Sequence, residues 1–372
     1  MLILTVNSGS TSIKLAAFDS AARTAADSPA RARPLAAEHC LDPVPEPAEV
    51  LRKFMARVGR SPDAVAHRVV HGGTRFTGPV VIDDAVRGAI GELSDLAPLH
   101  NPAALSWIDA ARTVCGDRAR HIAAFDTTFF TGLPRVAAEY ALPRALGVDL
   151  SVRRYGFHGL AHEAMWLRWC ELEPELASGG RLITLQLGGG CSAAAIERGR
   201  ALDTSMGFSP LEGLVMATRC GDLDPTVVAH LERHLGLSGA EVIARLNREC
   251  GLAGLSGGGT HPAELLESPS GEAQFALDLY CYRVRKYLGA YLAVLGGCDG
   301  IVFGGGVGEH VPEVRERILA GMAWAGVALE PASNREARGS EALISVPGRR
   351  PAVRVIPVEE ERLLVRAALS LT

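Results

Sequence analysis

Leu2-Ile3-Leu4-Thr5-Val6, Asn7-Ser8-Gly9-Ser10-Thr11-Ser12 and Ile13-Lys14-Leu15-Ala16-Ala17-Phe18 follow one another at the start of the chain, and the fold is read outward from them. Two β-prone runs flank a turn of glycine and hydroxyl residues, the pattern of a hairpin with a long polar loop. A comparable unit returns in mid-chain, where Leu182 to Leu187 and Ser192 to Ile196 flank Gly188-Gly189-Gly190 and Glu197-Arg198-Gly199 closes the second strand. One such unit near the start of each half implies two similar domains, each offering a turn whose backbone N–H groups can meet phosphate.

The stretches between and after these hairpins alternate in period. Ala64 to Val70 and Ile122 to Phe125 are strand-like, with an apolar helix around Ala103 to Ala111 between them, an α/β pattern. Asp224-Pro225 opens a helix with Val227, Val228, Leu231 and Leu235 on one face, and Leu277, Cys281, Val284, Leu288, Leu292 and Leu295 define another that Gly296-Gly297 stops. Ile301-Val302-Phe303 ends in Gly304-Gly305-Gly306-Val307-Gly308, and Pro312 then opens a further helix. Strand, glycine turn, helix is a geometry that suits nucleotide phosphates. Ala21 to Pro47 and Gly257 to Gly271 read as loops. The expected division is residues 1–149, with a terminal helix in 358–372 packing back on them, and residues 150–357, joined near Gly147 to Val152.

At 372 residues the chain is longer than one core usually serves, and 48% hydrophobic residues suffice to build two without staples. A formal net charge of -4 and the lack of any Lys/Arg block argue against nucleic acid or an anionic membrane as partner. The eight cysteines show no C-x-x-C pair or metal-ligand spacing, and no leader-like or membrane-spanning run is found, so a soluble cytoplasmic protein with free thiols is expected.

The turns become specific in combination. Asn7-Ser8-Gly9-Ser10-Thr11-Ser12-Ile13-Lys14, His67-Arg68-Val69-Val70-His71-Gly72-Gly73, Ala97-Pro98-Leu99-His100-Asn101-Pro102 and Phe125-Asp126-Thr127 stand in order. Arg154-Tyr155-Gly156-Phe157-His158-Gly159, Asp203 to Leu214, Thr218-Arg219 and Val355-Ile356-Pro357 with Glu360 follow them. Together they resemble the acetate kinase family, from residue 1 to about Arg366. The resemblance implies two duplicated actin-like (ribonuclease H-like) α/β domains with an active-site cleft between them, as in sugar kinases, actin and heat-shock chaperones. It also implies a homodimer, ATP/ADP as co-substrate, and Mg2+, with Mn2+ able to substitute.

The chemistry expected of these residues is electrostatic. A carboxylic acid with a pKa of roughly 4 to 5 is ionised at neutral pH and needs no general base. Two anions must instead be brought into line by cations. By the resemblance, Arg68 holds the acyl carboxylate, Arg219 bridges it to the phosphoryl oxygens, and His158 donates to the transition state, with Asp126 as a further catalytic group. His100 either assists the phosphoryl group or anchors its loop. Val70, Leu99, Phe157 and Pro210 correspond to the pocket for the acyl methyl group. Asn7, Ser10, Ser12, Lys14, Gln186, Gly188, Gly190, Gly304, Gly305, Gly306, Gly308 and His310 correspond to the nucleotide side. The metal falls to Asn7 and Glu360, a register slip of one residue naming Glu359 instead.

The chain departs from the family on that nucleotide side. Gln186 and Gly189 replace a histidine and an asparagine, Gly258-Gly259-Thr260 replaces Asp-Phe-Arg, His310 replaces an asparagine, and Phe130 replaces a histidine. Three readings stay open: an ATP-dependent acetate kinase, a relative using propionate, GTP or pyrophosphate, and a non-catalytic sensor of nucleotide or acyl phosphate.

Overall fold

The computed structural model describes residues 1–9, 12–19, 34–41, 46–98, 100–116 and 118–372. The chain forms two compact units, Met1–Thr131 with Phe157–Ala164 and Glu359–Thr372, and Gly132–Gly156 with Met165–Val358. Residues 132–149, given to the first domain on sequence, therefore pack with the second unit.

The first unit is built on six strands, β1 (Leu2–Ser8), β2 (Ser12–Asp19), β3 (Ala36–Leu41), β4 (Ala64–Val69), β5 (Val80–Val81) and β6 (Arg120–Phe125), in the order β3-β2-β1-β4-β6-β5. β1, β2 and β3 form an antiparallel meander, β1, β4 and β6 run parallel, and β5 closes the edge antiparallel to β6. Leu2, Leu4, Val6, Ile13 and Leu15 pack on Val50, Leu51 and Phe54 of the helix Pro47–Val58. That helix starts where Glu46 accepts from Ala48 N at 2.8 Å and ends at Gly59, whose φ of 77° suits glycine. On the other side the helix Glu360–Ser370 lies against β1, β4 and β6. β1 is thus covered on both faces, and every residue from Leu2 to Ser8 is buried.

The second unit repeats the plan with β7 (Arg181–Leu187), β8 (Cys191–Glu197), β9 (Arg200–Thr204), β10 (Gly300–Gly304), β11 (Ala342–Leu343) and β12 (Ala352–Val355). Their order, β11-β12-β10-β7-β8-β9, is the first sheet read in reverse, with a meander of β7, β8 and β9, parallel β7, β10 and β12, and an antiparallel edge strand. The duplication inferred from two hairpins extends to all six strands. Asn7 and Gln186 each occupy the last position but one of their strands, paired with Lys14 and Ser192 across the hairpin. Behind the second sheet runs the helix Gly271–Leu295, whose buried residues include all six at the expected spacing, and Gly296 ends it at φ 65°.

Candidate active site

Asn7, Arg68 and Asp126 lie at the carboxyl ends of β1, β4 and β6, the end of a parallel sheet where α/β proteins bind ligands. Arg68 donates from Nε and Nη2 to Asp126 Oδ1 and Oδ2 at 2.9 and 2.7 Å, and from Nη1 to Asn7 Oδ1 at 3.1 Å. Asn7 Nδ2 donates to Glu360 Oε2 at 2.8 Å and to Glu361 Oε1 at 3.1 Å. Glu360 also stands 3.7 Å from Arg68 Nη1, while Glu359 pairs with Arg362. Of the two glutamates the sequence left open, Glu360 is the one that meets Asn7 and Arg68. Glu361 was missed, because nothing in a run of three glutamates distinguishes its first-turn neighbour.

Three carboxylates crowd one guanidinium here. Burial works against the charge of Arg68, yet Asp126 and Glu360 outweigh it and raise its pKa. Burial raises the Asp126 carboxyl despite Arg68, and the Glu360 charge adds to the rise. For Glu360 burial pushes the same way, but Arg68, the Asn7 amide, Lys14 and His158 hold it below the usual carboxylate range. The excess of negative charge and the hard oxygen donors fit a divalent cation of the magnesium type. Among the described residues no three His, Cys, Asp or Glu side chains form a ready metal cage. An ion that keeps several waters does not need one.

His158 is positioned by strain and by a missing side chain. Its φ of 57° is left-handed, uncommon for a residue with a side chain. Its backbone N–H bonds the Asp126 carboxylate, and Gly159 N donates to Asp126 O at 2.9 Å. A Cβ on Gly159 would sit 2.0 Å from that oxygen, so only glycine permits the approach. Nearby, Asn101 accepts from His71 N and donates to His71 O, both at 3.1 Å, and so holds the loop after β4. Val70 and Phe157 are buried, and the Phe157 ring meets His71 edge-on at 5.4 Å. His100 is half-buried at the start of the helix Asn101–Cys115. Ser12 opens β2, its carbonyl accepting from Gly9 N at 2.8 Å, and Lys14 lines a cavity of about 410 Å³ with His39, Glu361 and Arg362. Ser10 and Leu99 lie outside the described residues.

In the second unit the two glycine turns are neighbours. Gly188 N donates to Gly190 O at 3.1 Å. Gly305, at φ 75°, packs so closely on Leu187 that a Cβ would lie 2.5 Å from its carbonyl oxygen. Gly305 N is engaged by Glu309 Oε1 at 2.9 Å, whereas Gly306 and His310 are exposed, and Gly304 and Gly308 are buried. Gln186 Oε1 is buried with no hydrogen-bond partner among the described residues. The Gly188–Gly190 turn is tied to the loop of Arg219 by Ala217 N donating to Gly189 O at 3.1 Å. Arg219, half-buried, donates from Nη1 to the Pro210 carbonyl at 3.2 Å and lies 3.7 Å from Met216 Sδ. It has no carboxylate partner among the described residues, and burial lowers its pKa. A half-buried guanidinium without a carboxylate partner is suited to receive an anion.

The acetokinase family model matches residues 47–366. The acetate kinase of Solibacter usitatus is 46% identical over 307 residues, 82% of this chain and 74% of the relative. That of Micrococcus luteus is 40% identical with both chains covered in full. Among solved structures, the acetate kinase of Porphyromonas gingivalis has a TM-score of 0.87 at 32% identity, covering 100% of this chain and 99% of the other. A propionate kinase of Francisella tularensis has a TM-score of 0.89 at 28% identity, with 100% of both chains covered. The chain belongs to the acetokinase family of carboxylate phosphotransferases.

Proposed function

We propose that the chain reversibly transfers the γ-phosphoryl group of ATP to acetate, giving acetyl phosphate and ADP, with Mg2+ as the divalent ion. Arg219 carries the reading: it is a half-buried cation whose contacts are a carbonyl and a sulfur, open to an anion that brings the missing charge. Of the five N–H groups of a guanidinium, Arg68 commits three to Asp126 and Asn7, so two are left for an acyl carboxylate. Asn7 and Glu360 would hold the metal, with Asp126 acting through water; a bound Mg2+ supplies charge neutralisation on phosphate oxygens. Arg68 would orient the acetate oxygen, Arg219 would lie between carboxylate and phosphoryl group, and His158 would donate to the equatorial oxygens as charge spreads over them. Gly188, Gly190 and the Gly304–Gly308 turn would receive the nucleotide phosphates. Val70 and Phe157, with Leu99 and Pro210, would exclude water from the methyl group.

A donor-by-acceptor panel, with the acyl phosphate trapped by hydroxylamine, tests this. ATP with acetate should give the highest kcat/KM; turnover confined to another donor, or no carboxylate phosphorylated, would end the reading. Chelation should abolish turnover and Mg2+ restore it, and Glu360→Gln should raise the Mg2+ needed by at least about tenfold. Val70→Ala should move preference toward propionate, since one methylene in such a pocket is worth roughly 1–3 kcal/mol. A cytoplasmic homodimer is part of the same reading and rests on family resemblance; sedentation of the intact protein as a monomer at micromolar concentration would remove the dimer.

A further inference from the structure

Among the described residues Arg219 has no carboxylate partner, in a stretch that is not short of acids. Between Ser205 and Asp224 the chain has Glu212, Asp222 and Asp224, and each is held by something else. Asp222 accepts from Gly213 N and from the Tyr287 hydroxyl, both at 2.9 Å. Asp224 accepts from Thr226 N at 2.8 Å and from its hydroxyl at 2.7 Å. Glu212 is the most tightly held. Arg154 Nη2 donates to its Oε1 at 2.6 Å, and the Tyr140 hydroxyl donates to Oε2.

The holding is built into the backbone. Arg154 Nη1 also donates to the carbonyls of Thr204 and Ser205, at 3.1 and 3.2 Å. The Tyr140 oxygen accepts from Phe208 N at 2.8 Å. Gly207 lies flat against the pair, where a Cβ would be 1.6 Å from Glu212 Oε2 and 2.3 Å from the Tyr140 oxygen. Burial, with the Glu212 charge, pushes the Tyr140 hydroxyl pKa up and keeps it a donor. Glu212 follows by two positions the Pro210 whose carbonyl Arg219 touches. A carboxylate so placed, if it were free, would be the natural partner of that guanidinium.

The geometry points to Arg154 and Tyr140 as positioning residues that sequester Glu212, reserving the charge of Arg219 for a carboxylate or phosphoryl anion. The identity of the acid as a substrate rests on the function proposed above; the reservation of charge does not. The ionisable group beside Arg219 is the Cys191 thiol, whose pKa burial pushes up, and not a carboxylate.

The test is a charge-rescue cycle on the full chain, read by calorimetric binding of inorganic phosphate and by steady-state kinetics. Arg154→Met releases Glu212 and should weaken phosphate binding and raise the KM for acetate, each about tenfold, with the KM for ATP little changed. Arg154→Met with Glu212→Gln removes the freed charge and should recover most of both losses, which a merely structural role of Arg154 would not allow. In an Arg219→Ala background, Arg154→Met should cause no further loss. Tyr140→Phe, alone and with Glu212→Gln, repeats the cycle with a smaller perturbation and stands in if the Arg154 variant does not fold. Unchanged binding on release of Glu212, or a double variant no better than the single, overturns the inference. Rescue of phosphate binding in a protein that forms no acyl phosphate would instead remove the proposed function and leave this inference standing.

Discussion

Arg68 and Arg219 were named together by their motifs, and their surroundings set them apart. Arg68 is bidentate to Asp126, which is 1% exposed, so Arg68→Ala would strand a buried carboxylate at a cost of about 3–5 kcal/mol, measurable by denaturant unfolding. Arg219 strands nothing; Arg219→Ala should leave unfolding within about 1 kcal/mol of the parent while kcat falls by about 100-fold or more. Equal destabilisation by the two changes would contradict this contrast. Motifs report residue type and order, and not which guanidinium is already neutralised. Gln186 teaches the same lesson: on sequence it is a lost histidine, and in the structure it is the counterpart of Asn7, with its Oε1 unpartnered among the described residues. Gln186→His should place a charge-capable donor there and lower the KM for ATP; an unchanged KM would mean the side chain does not reach phosphate.

Elements were legible where hydrophobic period was strong. The helix Gly271–Leu295 and the strands β1, β2, β7 and β8 stand where apolar spacing put them. β3 was absorbed into a loop, since Ala36-Ala37-Glu38-His39-Cys40 has little apolar alternation and the strand lies at a sheet edge, half-buried at best. The segment after Gly257, read as a loop, contains the short helix Pro262–Glu267. The helix expected to begin at Pro225 spans Thr226–Leu235, and its apolar face is only half covered, with Leu235 50% exposed. The most consequential element boundary is the start of Gly159–Leu172. Gly159→Ala should cost roughly 1–3 kcal/mol and lower kcat together, because the methyl group must displace either Asp126 or His158. A variant of full stability and full activity would show that the close approach is dispensable.

Across the whole molecule the duplication was legible because two hairpins carry it, while the boundary was not, because the chain changes unit at Gly132, Phe157, Met165 and Glu359 and no composition shift marks these points. Global stability should depend on pH through imidazoles buried in the first unit. Burial pushes His71 and His121 down to about 4 and, helped by His121 and Arg112, His67 well below 6.5. The unfolded chain binds these protons at about 6.5, so it takes them up first on acidification. Stability is then complete above about pH 6.5 and is lost progressively toward pH 4, by up to about 1.4 kcal/mol per pH unit for each histidine. Melting temperature against pH should show this fall, and His121→Asn should flatten it; a flat profile in the parent protein would refute the assignment.

The hydrogen bond from Asn7 to Glu360 joins residues 353 positions apart. During synthesis, β1 and β4 leave the ribosome long before the helix that covers them. A nascent chain arrested between Phe125 and Glu359 has all six strands of the first sheet but not the helix that covers β1, β4 and β6, and it lacks the Glu360 carboxylate that Asn7 meets. Ribosome-stalled intermediates should therefore be chaperone clients until the helix Glu360–Ser370 emerges, so that the first unit is finished only after the second has been made.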